Sequence, residues 1–349
     1  MSVSNVSSSY LASALLPAVR QAQTQLATLE VESSTGQYAD LGLQLGTQSG
    51  YELSLRAQDD LLQALTTANG ITQTNMSTSQ TTLSAILSSA DDSAASLLTY
   101  ASTNNSSASL QSLGQSQLGQ LIALGNTTSS GSYVFAGANS SVAPLNDFFS
   151  TPTSNAKSAI DSAFQSYFGF SVGAPQVGGI TATQMQGFLS GPFADQFQDP
   201  NWGSNWSNAA DTNVTSEISP GNRIATSTNT NTDGFRQLAQ GYAMLSEFGG
   251  IGLNASAEQS LARTASNTVA RGASAIIQTQ AQLGEAQTQV TQASDNMKSQ
   301  MSLLQSQISR TDSVDPAQVA TELTTLTTQL QSAYQLTAKI NSLSLAQYL

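Results

Sequence analysis

Pro316–Ile340 reads PAQVATELTTLTTQLQSAYQLTAKI, and the spacing of its apolar residues decides the fold class. Val319, Leu323, Leu326, Leu330, Ala333, Thr337 and Ile340 step by 4-3-4-3-4-3, a heptad seam with one polar lapse at Thr337. Just upstream, Leu283, Val290, Met297 and Leu304 recur every seven residues. Gln287, Ser294, Met301 and Ile308 form the alternate row, which is apolar only at its end. Between the two stretches lies SRTDSVDP, Ser309–Pro316. There Asp315 suits an N-cap, and Pro316 suits the first position of a helix, where its missing N–H costs nothing. The spacing therefore predicts a helical hairpin or a jointed long helix at the C-terminal end.

The other end carries a similar stripe. Leu11, Leu15, Ala18, Ala22, Leu26 and Leu29 step by 3 or 4, one apolar face of a helix. Leu53, Ala57, Leu61, Ala64, Ala68 and Ile71 keep helical spacing, as do Leu83, Leu87, Ala90, Ala94, Leu97 and Leu98, until Gly125 and NTTSSG end the pattern. Gly131–Gly137, GSYVFAG, is a short β-prone run bounded by glycines. From about Pro144 to Asp233 the composition changes, with six of the eight prolines and both tryptophans. The turn SPGN, Ser219–Asn222, lies between the strand-like SEI and RIAT and predicts a hairpin.

The predicted fold is mainly α. Long N- and C-terminal helices pack as a coiled coil or helical bundle, with a central inserted α+β region containing β-hairpins. We expect three parts: a terminal coiled-coil assembly domain from 1–40 and 306–349, a helical bundle domain with β-hairpins from 41–144 and 206–305, and a central inserted domain at 145–205.

Composition narrows the function. Only 9% of the 349 residues are charged, and the net charge is −12. Nucleic-acid binding needs clustered Lys and Arg to displace counterions, and ten scattered basic residues argue against it. An anionic membrane surface is disfavoured for the same reason. No stretch of 18 apolar residues exists, and the first residues lack a basic segment, so neither a membrane span nor a cleaved secretory signal is expected. The absence of Cys and His removes thiolate metal sites, disulfides and the commonest general base. Asp59-Asp60 and Asp91-Asp92 are adjacent, so their side chains point about 100° apart on a helix and read as solvated faces. Asp312 and Asp315 sit in a turn without calcium-loop spacing. Trp202 and Trp206, in PNWGSNWSN, read as staples of a small core more than as a platform for a sugar or partner. No nucleophile elbow or phosphate loop occurs. We expect no catalytic, cofactor-binding or metal-binding residues and no enzymatic activity.

The terminal stripes carry the chemistry that remains. Their flanks are Ser, Thr and Gln, and residues 1–29 hold a single charge, Arg20. Such helices are marginal alone and gain stability when a neighbour buries the stripe. An ordinary antiparallel pair within one monomer is the competing reading. The expected assembly interface comprises Leu11, Leu15, Leu26, Leu29, Leu323, Leu326, Leu330, Ile340, Leu343 and Leu345.

These stretches resemble a known family. Asn296–Leu349 is similar to the C-terminal region of flagellins: a long helix, an acidic turn, a second amphipathic helix and a closing segment, here Ser342–Leu349, SLSLAQYL. Gly131–Gly137 resembles the G-x-Y-x-F-A-G segment of the hook–filament junction proteins of that superfamily. Glu32–Gly46, ESSTGQYADLGLQLG, and Asn205–Asp211, NWSNAAD, resemble one branch of them. The chain departs from the commoner junction pattern, lacking its Ser-Gly…Pro-x-Asp-Asp-Pro run. It also lacks the Asn-Thr-Asn and Arg-Leu-Ser-Ser-Gly signatures of filament flagellin. The resemblance implies a structural subunit of the bacterial flagellum, outside the cell and exported without a cleaved signal. It also implies self-assembly into a ring, contacts with another hook-associated protein and with filament flagellin, and an export chaperone at the C-terminal segment. Filament flagellin, or a non-flagellar helical adhesin, are the alternatives.

Overall fold

The computed structural model describes residues 8–102 and 107–346, with side chains placed for 15–100 and 109–339. The chain runs through α1 (Ser8–Thr35), the short α2 (Leu41–Leu45), α3 (Ser49–Ser102) and α4 (Ser107–Gly125). A small hairpin follows, β1 (Thr128–Ser129) and β2 (Ser132–Tyr133), then α5 (Asn155–Phe168) and α6 (Ala182–Ser190). A second hairpin, β3 (Thr215–Ser219) and β4 (Asn222–Ala225), precedes α7 (Asp233–Phe248), α8 (Ala255–Asp312) and α9 (Pro316–Ala346). The architecture is mainly α, with long terminal helices and two antiparallel hairpins, as the periodicity predicts. Two compact units form, one from the residues up to 63 and from 298 onward, the other from 64–297.

In the second unit, α3 and α8 run antiparallel, held by a ladder of side-chain hydrogen bonds. Asn69 Nδ2 donates to Ser294 Oγ (3.1 Å), Gln287 Nε2 to Ser77 Oγ (3.4 Å), Gln280 Nε2 to Ser84 Oγ (2.9 Å) and Tyr100 Oη to Glu258 (2.9 Å). Under this ladder lies an apolar seam. Met76, Leu83, Ala90 and Leu97 are fully buried on α3, seven residues apart, and Val269, Ile276, Leu283 and Val290 repeat the interval on α8. Leu283 and Val290 belong to the row read from the sequence, of which Met297 is also buried and Leu304 is half-buried.

On α3 the sequence reading chose the wrong face between residues 53 and 71. Leu53, Leu61 and Ile71 are 67%, 51% and 58% exposed, whereas Leu55, Leu62 and Asn69 are buried. The chosen stripe has the 3.6-residue period of a straight helix. A partner with a heptad selects the row with a 3.5-residue period instead. Farther along, Leu83, Ala90 and Leu97 are buried as expected, but Leu98 is 66% exposed.

The core centres on α7, which is buried almost all round, as a helix enclosed by neighbours must be. Close approach there depends on glycine. A Cβ at Gly114 of α4 would lie 2.2 Å from Ser246 N, and one at Gly241 of α7 would lie 2.7 Å from a methyl of Val269. The aromatic residues of 145–205 pack onto the same helix. Phe164 stacks on Phe248 with centroids 5.5 Å apart, and Phe188 and Phe193 meet Phe248 edge-on. Trp202 and Trp206, both buried, stack at 5.8 Å, and Phe148 lies on Trp206 at 5.1 Å, which is the core role expected of them.

Local signals account for the boundaries here. The side chain of Ser154 caps α5, Thr181 and Gln184 form a capping box on α6, and Gly169, with φ of 82°, closes α5. The SPGN turn joins β3 to β4 as predicted. In GSYVFAG only Ser132 and Tyr133 form a strand. Val134, Phe135 and Ala136 turn into the core, where Phe135 meets Phe235 at 5.3 Å.

One partly buried ion pair joins α5 to α7, half-buried Lys157 to buried Glu247. Burial pushes the Glu247 carboxyl above its ordinary range, against the lowering effect of Lys157. A carboxyl with a raised folded-state pKa binds protons more tightly in the folded than in the unfolded chain. Its contribution to stability therefore falls as pH rises through the interval above its ordinary value. Glu247→Gln should flatten this part of the profile of melting temperature against pH, between about pH 4 and the shifted value. Thermal melts at closely spaced pH values would check it, and an unchanged slope would refute it.

Candidate assembly interface

In the first unit α1 packs against α9. Along α9, Val319 and Leu330 are buried at 5% and 6% exposure, and Leu323, Leu326, Ala333 and Thr337 are half-buried. These are the seam positions read from the sequence. On α1 the inward row is Leu15, Val19, Ala22, Leu26 and Leu29, all half-buried. Val19 takes the place expected for Ala18, which is exposed, because facing a heptad row restores the 4-3 step. Gln23 Nε2 donates to Tyr334 Oη (2.7 Å) across the pair. The structure thus brings Leu15, Leu26, Leu29, Leu323, Leu326 and Leu330 onto two facing rows. The side chains of Leu11, Ile340, Leu343 and Leu345 lie outside the described residues.

The pair does not bury its apolar surface by itself. Leu16, Val31, Tyr334 and Leu336 are 56%, 49%, 50% and 47% exposed. Fully burying a Leu or Val is worth roughly 1.5–3 kcal/mol, and about half of that is unrealised at these positions in the isolated chain.

The polar part of this surface has a feature that sequence periodicity does not register, and that α3 and α8 share. Thr321, Thr324, Thr325 and Thr328 on α9 donate their hydroxyls to carbonyls four residues back, at 2.7–2.8 Å. On α1, Thr24 and Thr28 do the same at 3.1 Å. A hydroxyl already bonded to its own helix keeps that bond when a neighbour covers it, so little desolvation cost opposes contact. The outward surface carries these threonines together with Leu16, Val31, Tyr334 and Leu336, among glutamines and few charges. The available signal was the run of threonines themselves, five of which fall between 321 and 328.

The connections into this pair are tied together. Tyr38 N donates to Asp312 O (3.0 Å) and Val314 N to Gly36 O (3.1 Å), and Gln37 and Ser313 form an isolated bridge. Gly36, with φ of 72°, makes the turn. Asp312 ends α8 with its side chain fully buried, paired with Arg56, which also pairs with Glu52 one turn earlier. Burial pushes the Asp312 carboxyl up, against the pull of Arg56. Asp315 caps α9 as predicted, accepting from Ala317 N (2.9 Å). Of the other acidic residues considered, Asp59 accepts from Gln305, and Asp91 and Asp92 are exposed. Among the described residues no helix is long and apolar enough to cross a membrane, and no group of three metal-ligating side chains forms.

The sequence matches two family models, the bacterial flagellin N-terminal helical region over residues 6–140 and the bacterial flagellin C-terminal helical region over residues 267–349. No curated protein matches it significantly. Among solved structures, a putative flagellar hook-associated protein from Vibrio parahaemolyticus shares the fold at a TM-score of 0.51. It is 9% identical, over 76% of this chain and 97% of that one. FlgL from Bacillus cereus is 13% identical, over 74% of this chain and 98% of that one, at a TM-score of 0.47.

Proposed function

We propose that this chain, which belongs to the flagellin superfamily and is a structural component of the bacterial flagellum, joins hook to filament by polymerising through α1 and α9. Self-assembly and association with other flagellar components come with the family. The junction role, a ring of subunits, contacts with another hook-associated protein and with filament flagellin, and an export chaperone at the C-terminal segment belong to the proposal. So do export to the cell exterior and the division into parts 1–40 with 306–349, 41–144 with 206–305, and 145–205.

The observation that carries the assembly reading is a two-helix seam in which, among the described residues, Val319 and Leu330 alone are buried within one chain. Leu11, Leu15, Leu26, Leu29, Leu323, Leu326, Leu330, Ile340, Leu343 and Leu345 are its proposed contact residues. The finer assignment to the junction rests on the GSYVFAG, ESSTGQYADLGLQLG and NWSNAAD resemblances.

Deletion of the gene followed by electron microscopy and assay of the medium tests the junction role. Cells that build hooks and shed filament protein into the medium would fit it. Cells that build hooks but neither carry nor shed a major filament protein would make this chain the filament subunit.

A further inference from the structure

The second unit holds a cavity of about 190 Å³ where α3 meets the two hairpins. Thr72 and Asn75 line it from α3, Tyr133 and Ser140 from the first hairpin and the turn after it, and Ser216 and Ser227 from the region of the second. A dry apolar cavity of about 150 Å³ accommodates benzene, so this one has room for a six-membered ring. Its wall is different in kind. It is mixed: eight Ser and Thr residues, one amide, one aromatic ring and two valines line it, most of the surface they expose is apolar, and no charged side chain lines it.

The polar groups are only partly engaged. Asn75 Oδ1 accepts from Ser129 Oγ (2.7 Å), which fixes the amide and leaves its NH₂ as a donor. That NH₂, the Tyr133 hydroxyl and the Thr72 hydroxyl have no hydrogen-bond partner among the described residues. A ligand suited to this wall must offer several hydroxyls, carry an apolar face for Tyr133 and Val134, and be neutral. A carboxylate or phosphate would meet no cation and an amine no anion, so each would lose hydration without compensation.

We propose that this cavity is a binding site for a neutral pyranose ring. Its hydroxyls meet Asn75, Thr72 and the Tyr133 hydroxyl, and its C–H face lies on the Tyr133 ring. Nothing in this proposal depends on the junction role.

Saturation-transfer NMR on the full-length chain, held as monomer, tests it with the methyl pyranosides of glucose, galactose and mannose, and with glucuronate as the charged control. At least one neutral pyranoside should bind saturably with a Kd on the order of 1 mM, and glucuronate at least tenfold more weakly. Thr72→Trp fills the cavity from a half-buried helix position and should abolish binding without changing the melting temperature. Asn75→Leu removes the fixed donor and should weaken binding at least tenfold. An oligosaccharide with the same ring at its non-reducing end would bind as well as the methyl glycoside if a glycan is the natural source, and more weakly if a free sugar is. Absence of binding by all three neutral pyranosides, or equal binding by Thr72→Trp, overturns the proposal. Thr72→Trp decides the matter if Asn75→Leu does not fold.

Discussion

Replacing Leu330 with aspartate is expected to abolish polymerisation while leaving the second unit folded. Leu330 is 6% exposed, on the face of α9 turned toward α1. A carboxylate there has no partner, and burying an unpaired charge costs several kcal/mol. A two-helix pair flanked by Ser, Thr and Gln has little stability to set against that loss. The second unit has its own core around α7 and shares no side chain with this site, so its melting should be unaffected. Sedimentation and electron microscopy would report polymer, and circular dichroism the second unit. Leu336→Asp makes the complementary case. Leu336 is 47% exposed in the single chain, so the charge stays solvated in the monomer and is penalised only on assembly. Polymer formed normally by both variants would remove the seam from the assembly account.

The second large effect is expected at Gly114. A Cβ there would sit 2.2 Å from Ser246 N and 2.6 Å from Leu245 C, and backbone atoms cannot rotate away. Helices α4 and α7 would have to separate, and α7 supplies Phe235, Leu238, Tyr242, Leu245 and Phe248 to the core. Overpacking ordinarily costs 1–3 kcal/mol, and a backbone clash across a whole helix pair should exceed it, so we expect about 4 kcal/mol or more for Gly114→Ala. Gly119→Ala, on the same helix, is the control. Its nearest neighbour would be a Phe149 ring carbon at 3.9 Å, ordinary contact, and better helix propensity should stabilise it by roughly 0.5–1 kcal/mol. Urea unfolding of both variants measures the difference. Equal stability would mean that α4 and α7 do not depend on this close approach.

The sequence was most legible where two signals coincide. On α8 and α9 the heptad interval, the Asp315 cap and Pro316 all agree, and the seam and the joint fall where they predict. The SPGN hairpin was equally clear, because turn chemistry and strand-like flanks point the same way. The first third of α3 was misread because its Ala- and Leu-rich sequence satisfies more than one helical stripe. Only the partner decides which is buried, and that partner lies more than 200 residues away. The pairing of Arg56 with Asp312, 256 residues apart, was likewise beyond local pattern.

At the proposed interface the apolar rows were legible, but the surface chemistry was not. Periodicity ranks residues by hydrophobicity and scores threonine as polar. It does not register that Thr321, Thr324 and Thr325 spend their hydroxyls on their own helix. The aromatic content of 145–205 marked a core, yet not that Phe164, Phe188 and Phe193 share it with Phe248 of α7. Replacing 145–205 with a short linker would therefore expose Phe248 along with removing the segment.

The central claim is that α1 and α9 are completed by other subunits. Amide hydrogen exchange over residues 15–29 and 319–337, compared between monomer and polymer, tests it most directly. The account predicts weak protection in the monomer, well below that of α7, and strong protection in the polymer. Protection at both stretches that is already as strong in the monomer as in α7, and unchanged on assembly, would contradict it.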